Sequence, residues 1–81
     1  MKRNYRNAFN ALEKIGAPVF ERDDCLFISA ESNYDEIWAD YYDRYGSLDD
    51  FGVSKKINAI LDKYGLFAEW QNPGCLAVCE L

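Results

Sequence analysis

The chain is 81 residues long, 49% apolar and 16% aromatic, with 14 acidic side chains against 9 basic ones, no histidine and a net charge of −5. That length supports one core and no second, the apolar share argues for a folded globule, and no apolar run comes near the roughly 18 residues of a membrane-spanning helix. The missing histidine removes the commonest general base and the commonest metal ligand together, and the negative charge disfavours direct binding to a nucleic-acid backbone.

The basic start, MKRNYRNAFN, is followed by no apolar stretch of the kind a secretory signal carries, so a cytoplasmic protein is expected. Tyr5, Ala8, Phe9, Leu12 and Ile15 recur at three- and four-residue spacing and predict a helix over residues 4–15, stopped by Gly16 and Pro18. Lys2, Arg3 and Arg6 oppose the dipole of that helix and are read as surface residues. Val19-Phe20-Glu21 and Leu26-Phe27-Ile28 then flank a polar Arg-Asp-Asp break, which predicts a hairpin. With Asp23-Asp24 as its loop, Phe20 faces Phe27 and Val19 faces Ile28. Asp-Asp is a weaker hairpin turn than Asn-Gly, which leaves this register open by one residue.

A second helix is predicted to start at Ser32 or Asn33 and to carry Tyr34 through Tyr45. At about 100° per residue, Tyr34, Trp38, Tyr41 and Tyr45 share one face and are read as core. Glu36, Asp40 and Asp43 lie opposite, with Asp35 and Tyr42 at the boundary. A solvated face normally mixes signs for i,i+4 pairing, yet across residues 31–50 only Arg44 offsets seven acids, and Asp49 and Asp50 extend the same field. Asp35, Glu36, Asp40, Tyr42, Asp43, Asp49 and Asp50 therefore form the candidate partner-binding set.

Val53, Ile57, Ile60, Leu61 and Tyr64 predict a third helix, with Ser54 as its N-cap and Gly65 as its stop. The final stretch, LFAEWQNPGCLAVCEL, reads as a second hairpin around Asn72-Pro73-Gly74-Cys75. Pairing outward from a type II turn sets Trp70 opposite Ala77 and Ala68 opposite Cys79. Leu66, Ala68, Trp70, Cys75, Ala77, Cys79 and Leu81 then share one face, and the other mixes Phe67, Leu76 and Val78 with Glu69, Gln71 and Glu80. A type II turn matches strand twist less well than the primed types, so a bulge or a wider loop is the alternative. The expected fold is a single α+β domain over residues 1–81, in the order α-β-β-α-α-β-β. Two hairpins form one four-stranded antiparallel sheet, and about three helices pack on one face of it.

Chemistry-bearing motifs are few. Asp50-Phe51-Gly52 spells a kinase tripeptide without a glycine-rich loop or catalytic loop around it, and is coincidental. The acids near Gly46 lack the alternating ligands of a calcium loop. Cys75 and Cys79 lie roughly 13 Å apart along one strand, too far to bond or to share an ion. Three cysteines are an odd number and read as small buried residues. No enzyme activity, metal or cofactor is expected.

In size and charge, though by no residue motif, the chain resembles the small acidic inhibitors of phages and mobile elements, such as anti-restriction and anti-CRISPR DNA mimics. That resemblance implies an acidic protein–protein interaction module that occupies a basic, nucleic-acid-binding site on a partner, without binding nucleic acid or membrane itself. The competing expectation is a structural or assembly protein, a homo-oligomer formed through the outer sheet face around Phe67, Leu76 and Val78.

Overall fold

A computed structural model of the chain describes residues 1–31, 36–42, 48 and 51–81. It opens with α1 (Arg3–Lys14), whose buried side chains Ala8 and Leu12 lie one turn apart on its apolar stripe. The helix ends as the sequence predicts. Gly16 takes φ +86°, its N–H donates to Glu13 O, and Ala17 N–H reaches back to Leu12 O at 3.0 Å. This double closure satisfies the last carbonyls of the helix and places Ala17 beside Leu12 in the core. The basic start of α1 serves long-range pairing, with Lys2 2.7 Å from Glu80 and Arg6 3.2 Å from Glu21.

The first hairpin, β1 (Val19–Arg22) and β2 (Cys25–Ser29), has the expected register: Val19 opposes Ile28 and Phe20 opposes Phe27. Asp23 and Asp24 both adopt positive φ, 52° and 63°, as the twist-matched two-residue turn requires. The Phe20 and Phe27 rings stack with centroids 5.4 Å apart.

Next comes α2 (Lys55–Lys63), where Ser54 Oγ accepts from Lys56 N at 3.2 Å and Ile57 and Leu61 are buried. The second hairpin, β3 (Leu66–Asn72) and β4 (Cys75–Glu80), completes a four-stranded antiparallel sheet of order β1-β2-β4-β3. Its register departs from the type II expectation. A bulge between Trp70 and Asn72 shifts the pairing, so Trp70 opposes Leu76 and Ala68 opposes Val78. A shift of one residue exchanges the two faces of a strand. Leu76 and Val78 therefore point into the core, and Cys75, Ala77 and Cys79 share the opposite face. The exchange puts larger apolar side chains in the interior, which is favourable at about 25 cal/mol per Å² removed from water. It also removes the outer face proposed around Phe67, Leu76 and Val78, because Leu76 and Val78 are both buried.

The larger correction concerns the predicted middle helix. Residues 36–42 are not helical. Ala39 forms an antiparallel bridge with Val53, Ser54 N donates to Trp38 O, and Asp40 N donates to Gly52 O, both at 2.8 Å. This segment runs alongside the approach to α2, and Trp38, Ala39 and Asp40 are consecutively buried. Helical spacing would bury only one side of such a run. Pairing with a distant segment buries both sides, and it relieves the like-charge stacking that a helix would impose. The described residues thus give the order α-β-β-α-β-β, with two helices on one face of the sheet. The remainder of the predicted middle helix lies outside them.

Leu12, Leu26, Ile28, Ile57, Leu61, Leu66 and Leu76, all essentially inaccessible, fill the space between helices and sheet. No helix among the described residues is long and apolar enough to cross a membrane.

Candidate functional site

The strand order leaves β3 at an edge of the sheet. Leu81 N donates to Gly65 O at 3.0 Å, which fixes the phase of the β3–β4 hydrogen bonds. Odd-numbered residues along this part of β3 bond to β4, so the backbone groups of Leu66, Ala68 and Trp70 point away from the sheet. No described strand lies beyond them.

Along this edge runs a groove of about 460 Å³, lined by Phe51, Val53, Phe67 and Trp70, with Asp62 and Glu69 supplying carboxylates and no basic side chain among its described lining. Trp70 anchors it. The indole Nε1 donates to Phe51 O at 2.6 Å, which fixes the approach to α2 against β3. The Tyr41 ring meets the Trp70 ring edge-on at 5.3 Å, and the Tyr42 ring meets Tyr41 at the same distance. Phe51 is 74% exposed, Tyr42 69%, Tyr41 50% and Phe67 38%. Four of the six exposed large hydrophobic residues among those described thus gather around one tryptophan. The site offers aromatic faces, a strand edge and two carboxylates, which is chemistry for contact.

The predicted partner-binding residues fall into three groups. Tyr42 is exposed and belongs to this aromatic cluster. Glu36 and Asp40 do not form a free acidic face. The Glu36 carboxylate lies 3.0 Å from Lys56 Nζ, which also sits over the Trp38 ring. Asp40 is only 6% exposed, and its Oδ1 accepts from Tyr42 N at 3.1 Å, so it shapes the turn that presents the tyrosines. Asp35, Asp43, Asp49 and Asp50 lie outside the described residues. Tyr41, expected in the core, is half exposed.

Phe51, Asp62 and Glu69 were not candidates from the sequence, and Trp70 was read as part of one face of the hairpin. Their grouping depends on β3 being an edge strand, which no local pattern encodes. The cysteines, expected to be buried, are not. Cys25 is exposed and Cys75 and Cys79 are half-buried, all as free thiols. Partial burial pushes the Cys75 and Cys79 thiols up from their ordinary range, and for Cys79 the Glu69 carboxylate 3.7 Å from its Sγ adds to the rise. Among the described residues no cluster of histidine, cysteine or carboxylate side chains has the makings of a metal site. Comparison of the chain with protein-family models, with curated proteins and with solved structures finds no match.

Proposed function

We propose that the protein is a small acidic protein–protein interaction module that occupies a basic site on its partner, with the groove along β3 as its contact surface. The observation that carries this is the clustering of exposed Tyr41, Tyr42, Phe51 and Phe67 around Trp70, beside Asp62 and Glu69. Aromatic anchors ringed by polar groups are where binding energy concentrates at interfaces. An open strand edge accepts an extended partner segment through backbone hydrogen bonds. The two carboxylates favour Lys or Arg on that segment, and in the sequence Asp43 follows Tyr42 directly and Asp50 precedes Phe51. A module of net charge −5 associates fastest with a basic surface, and basic surfaces of that kind commonly hold nucleic acid. Occupying one would make the protein an inhibitor of the DNA-mimic type. The contact chemistry, however, centres on the groove and not on a helical row of carboxylates.

The test is capture of a partner from host lysate on the immobilised protein, elution in a salt gradient, and a competition assay with the partner's nucleic acid. The expected result is a nucleic-acid-handling protein released at moderate salt, displaced from its nucleic acid by the wild-type chain but not by Phe51→Ala or Glu69→Lys. A partner that keeps its nucleic acid, or one held equally by both variants, would overturn the reading. A salt-insensitive dimer in sedimentation would instead support pairing of the β3 edge with a second copy.

A further inference from the structure

On the face of the sheet turned away from α1 and α2, the register of β2 with β4 brings two of the three cysteines toward each other. Strands β2 and β4 are antiparallel, with Ser29 opposite Cys75, Ile28 opposite Leu76 and Phe27 opposite Ala77, where the paired ladder ends. Continued by two residues along each strand, this register sets Cys25 opposite Cys79, and both still lie within their strands. The hydrogen-bond phase bears on the spacing. Ala30 N donates to Gly74 O at 2.9 Å, so the bonding positions are 30 with 74 and 28 with 76, and the same phase carried past the last paired residues gives 26 with 78. On that continued register Cys25 and Cys79 fall at a non-hydrogen-bonded position, where the Cα atoms of a closed ladder approach to about 4.5 Å. A disulfide accepts Cα separations of about 4.4–6.8 Å. Cys75 has no such partner, since Ser29 stands opposite it.

We propose that Cys25 and Cys79 are a cross-strand dithiol, a modification site for small disulfides such as glutathione disulfide, which oxidise it to an intramolecular disulfide and leave Cys75 free. Exposed Cys25 reacts first. Its thiolate attacks one sulfur of glutathione disulfide, the S–S bond breaks, and one glutathione thiolate leaves and takes up a proton. Cys79, its proton given to solvent, then attacks Cys25 Sγ in the mixed disulfide and expels the second glutathione. Two protein thiols are oxidised and one glutathione disulfide is reduced to two glutathiones. The Cys79 thiol is raised by burial first, by Glu69 next and by the neighbouring charge of Cys25 as well, and Tyr5 is raised in part by both thiols. Both effects put the two thiols within electrostatic reach of each other and of Tyr5. The higher affinity of Cys79 for its proton suits it to the second, intramolecular attack, where proximity compensates for a small thiolate fraction. The product fastens the open end of the β2–β4 ladder.

The experiment treats the reduced, full chain with glutathione disulfide at mildly alkaline pH, alkylates the remaining thiols and maps the peptides by mass spectrometry. The expected result is a chain lighter by two hydrogens before alkylation, with one alkylated thiol at Cys75 and a Cys25–Cys79 linked peptide. Cys75→Ser should behave in the same way. Phenylarsine oxide, which bridges two adjacent thiols, should bind the reduced wild-type chain and Cys75→Ser one to one, and lose that affinity in Cys25→Ser and in Cys79→Ser. A stable glutathione adduct on Cys25, three alkylated thiols, or a linkage involving Cys75 would each overturn the assignment.

Discussion

Two glycines in the left-handed region separate a local requirement from a global one. Gly16 at φ +86° closes α1, with nothing within 4 Å of where a Cβ would stand. Gly52 at +79° presses its backbone against the segment that holds Trp38 and Asp40, and an added Cβ would run into the Asp40 carbonyl oxygen. Gly16→Ala is expected to lose about 1–2 kcal/mol, the left-handed penalty alone. Gly52→Ala should lose more than that, by about a further 1–3 kcal/mol, because the Asp40–Gly52 pairing must open. Urea denaturation of the two variants measures the difference. The two glycines also differ in how far the sequence discloses them. Gly16 follows an apolar stripe and precedes Pro18, so its capping role is written locally. Gly52 sits in a coincidental kinase tripeptide, and its role exists only because residues 38–40 return to it. The same non-local contact turns Asp40 from a predicted surface charge into a buried turn-former.

Among the elements, hairpins and helix ends were legible and long-range pairing was not. The stacking of Phe20 on Phe27 follows from alternation on either side of a two-residue turn. The second hairpin was legible as a hairpin, but its faces turned on one bulged residue, which alternation cannot register. The consequence is measurable at Val78. On an outer face Val78→Asp would disturb only association, whereas on the inner face it buries a carboxylate in the hydrophobic core. The expected outcome is loss of cooperative thermal unfolding at neutral pH, followed by circular dichroism, with Phe67→Asp on the opposite face folding normally. Equal, small effects of the two changes would return Val78 to the surface. Over residues 36–42, which include Trp38 and Tyr41, the predicted middle helix failed for a related reason. Three- and four-residue spacing is also compatible with an extended segment buried on both sides, and the bridge from Ala39 to Val53 decides in favour of pairing.

At the scale of the whole molecule, the titration shifts of Lys2, Tyr5, Cys75 and Cys79 have one sign. Lys2 is raised by its hydrogen bond and charge pairing with Glu80, and Tyr5, Cys75 and Cys79 are raised chiefly by burial. Each group therefore holds its proton more tightly in the folded chain than in the unfolded one. Their contribution to stability is fully present below the ordinary ranges of these groups and is lost as pH rises through the folded values. The urea midpoint should accordingly stay level from pH 7 to about 8 and fall progressively above about 9, the thiols leading and Tyr5 and Lys2 following. A midpoint that rose in alkali would contradict this. The composition revealed the overall charge. It did not reveal that the exposed aromatics would converge on Trp70, because that requires knowing which strand ends the sheet.

The bridge between Ala39 and Val53 has an evolutionary consequence. It joins residues that stand well apart in the sequence, so its closure is weighed against the entropy of the chain between them. Each doubling of a flexible connection adds only about 0.6 kcal/mol to its closure. Tyr42 and Phe51, which flank the stretch 43–50 in the sequence, both belong to the aromatic cluster at Trp70, so the cluster and the bridge together hold the positions on either side of that stretch. The closure entropy of such a connection changes only slowly with its length, so selection on that length through stability is weak.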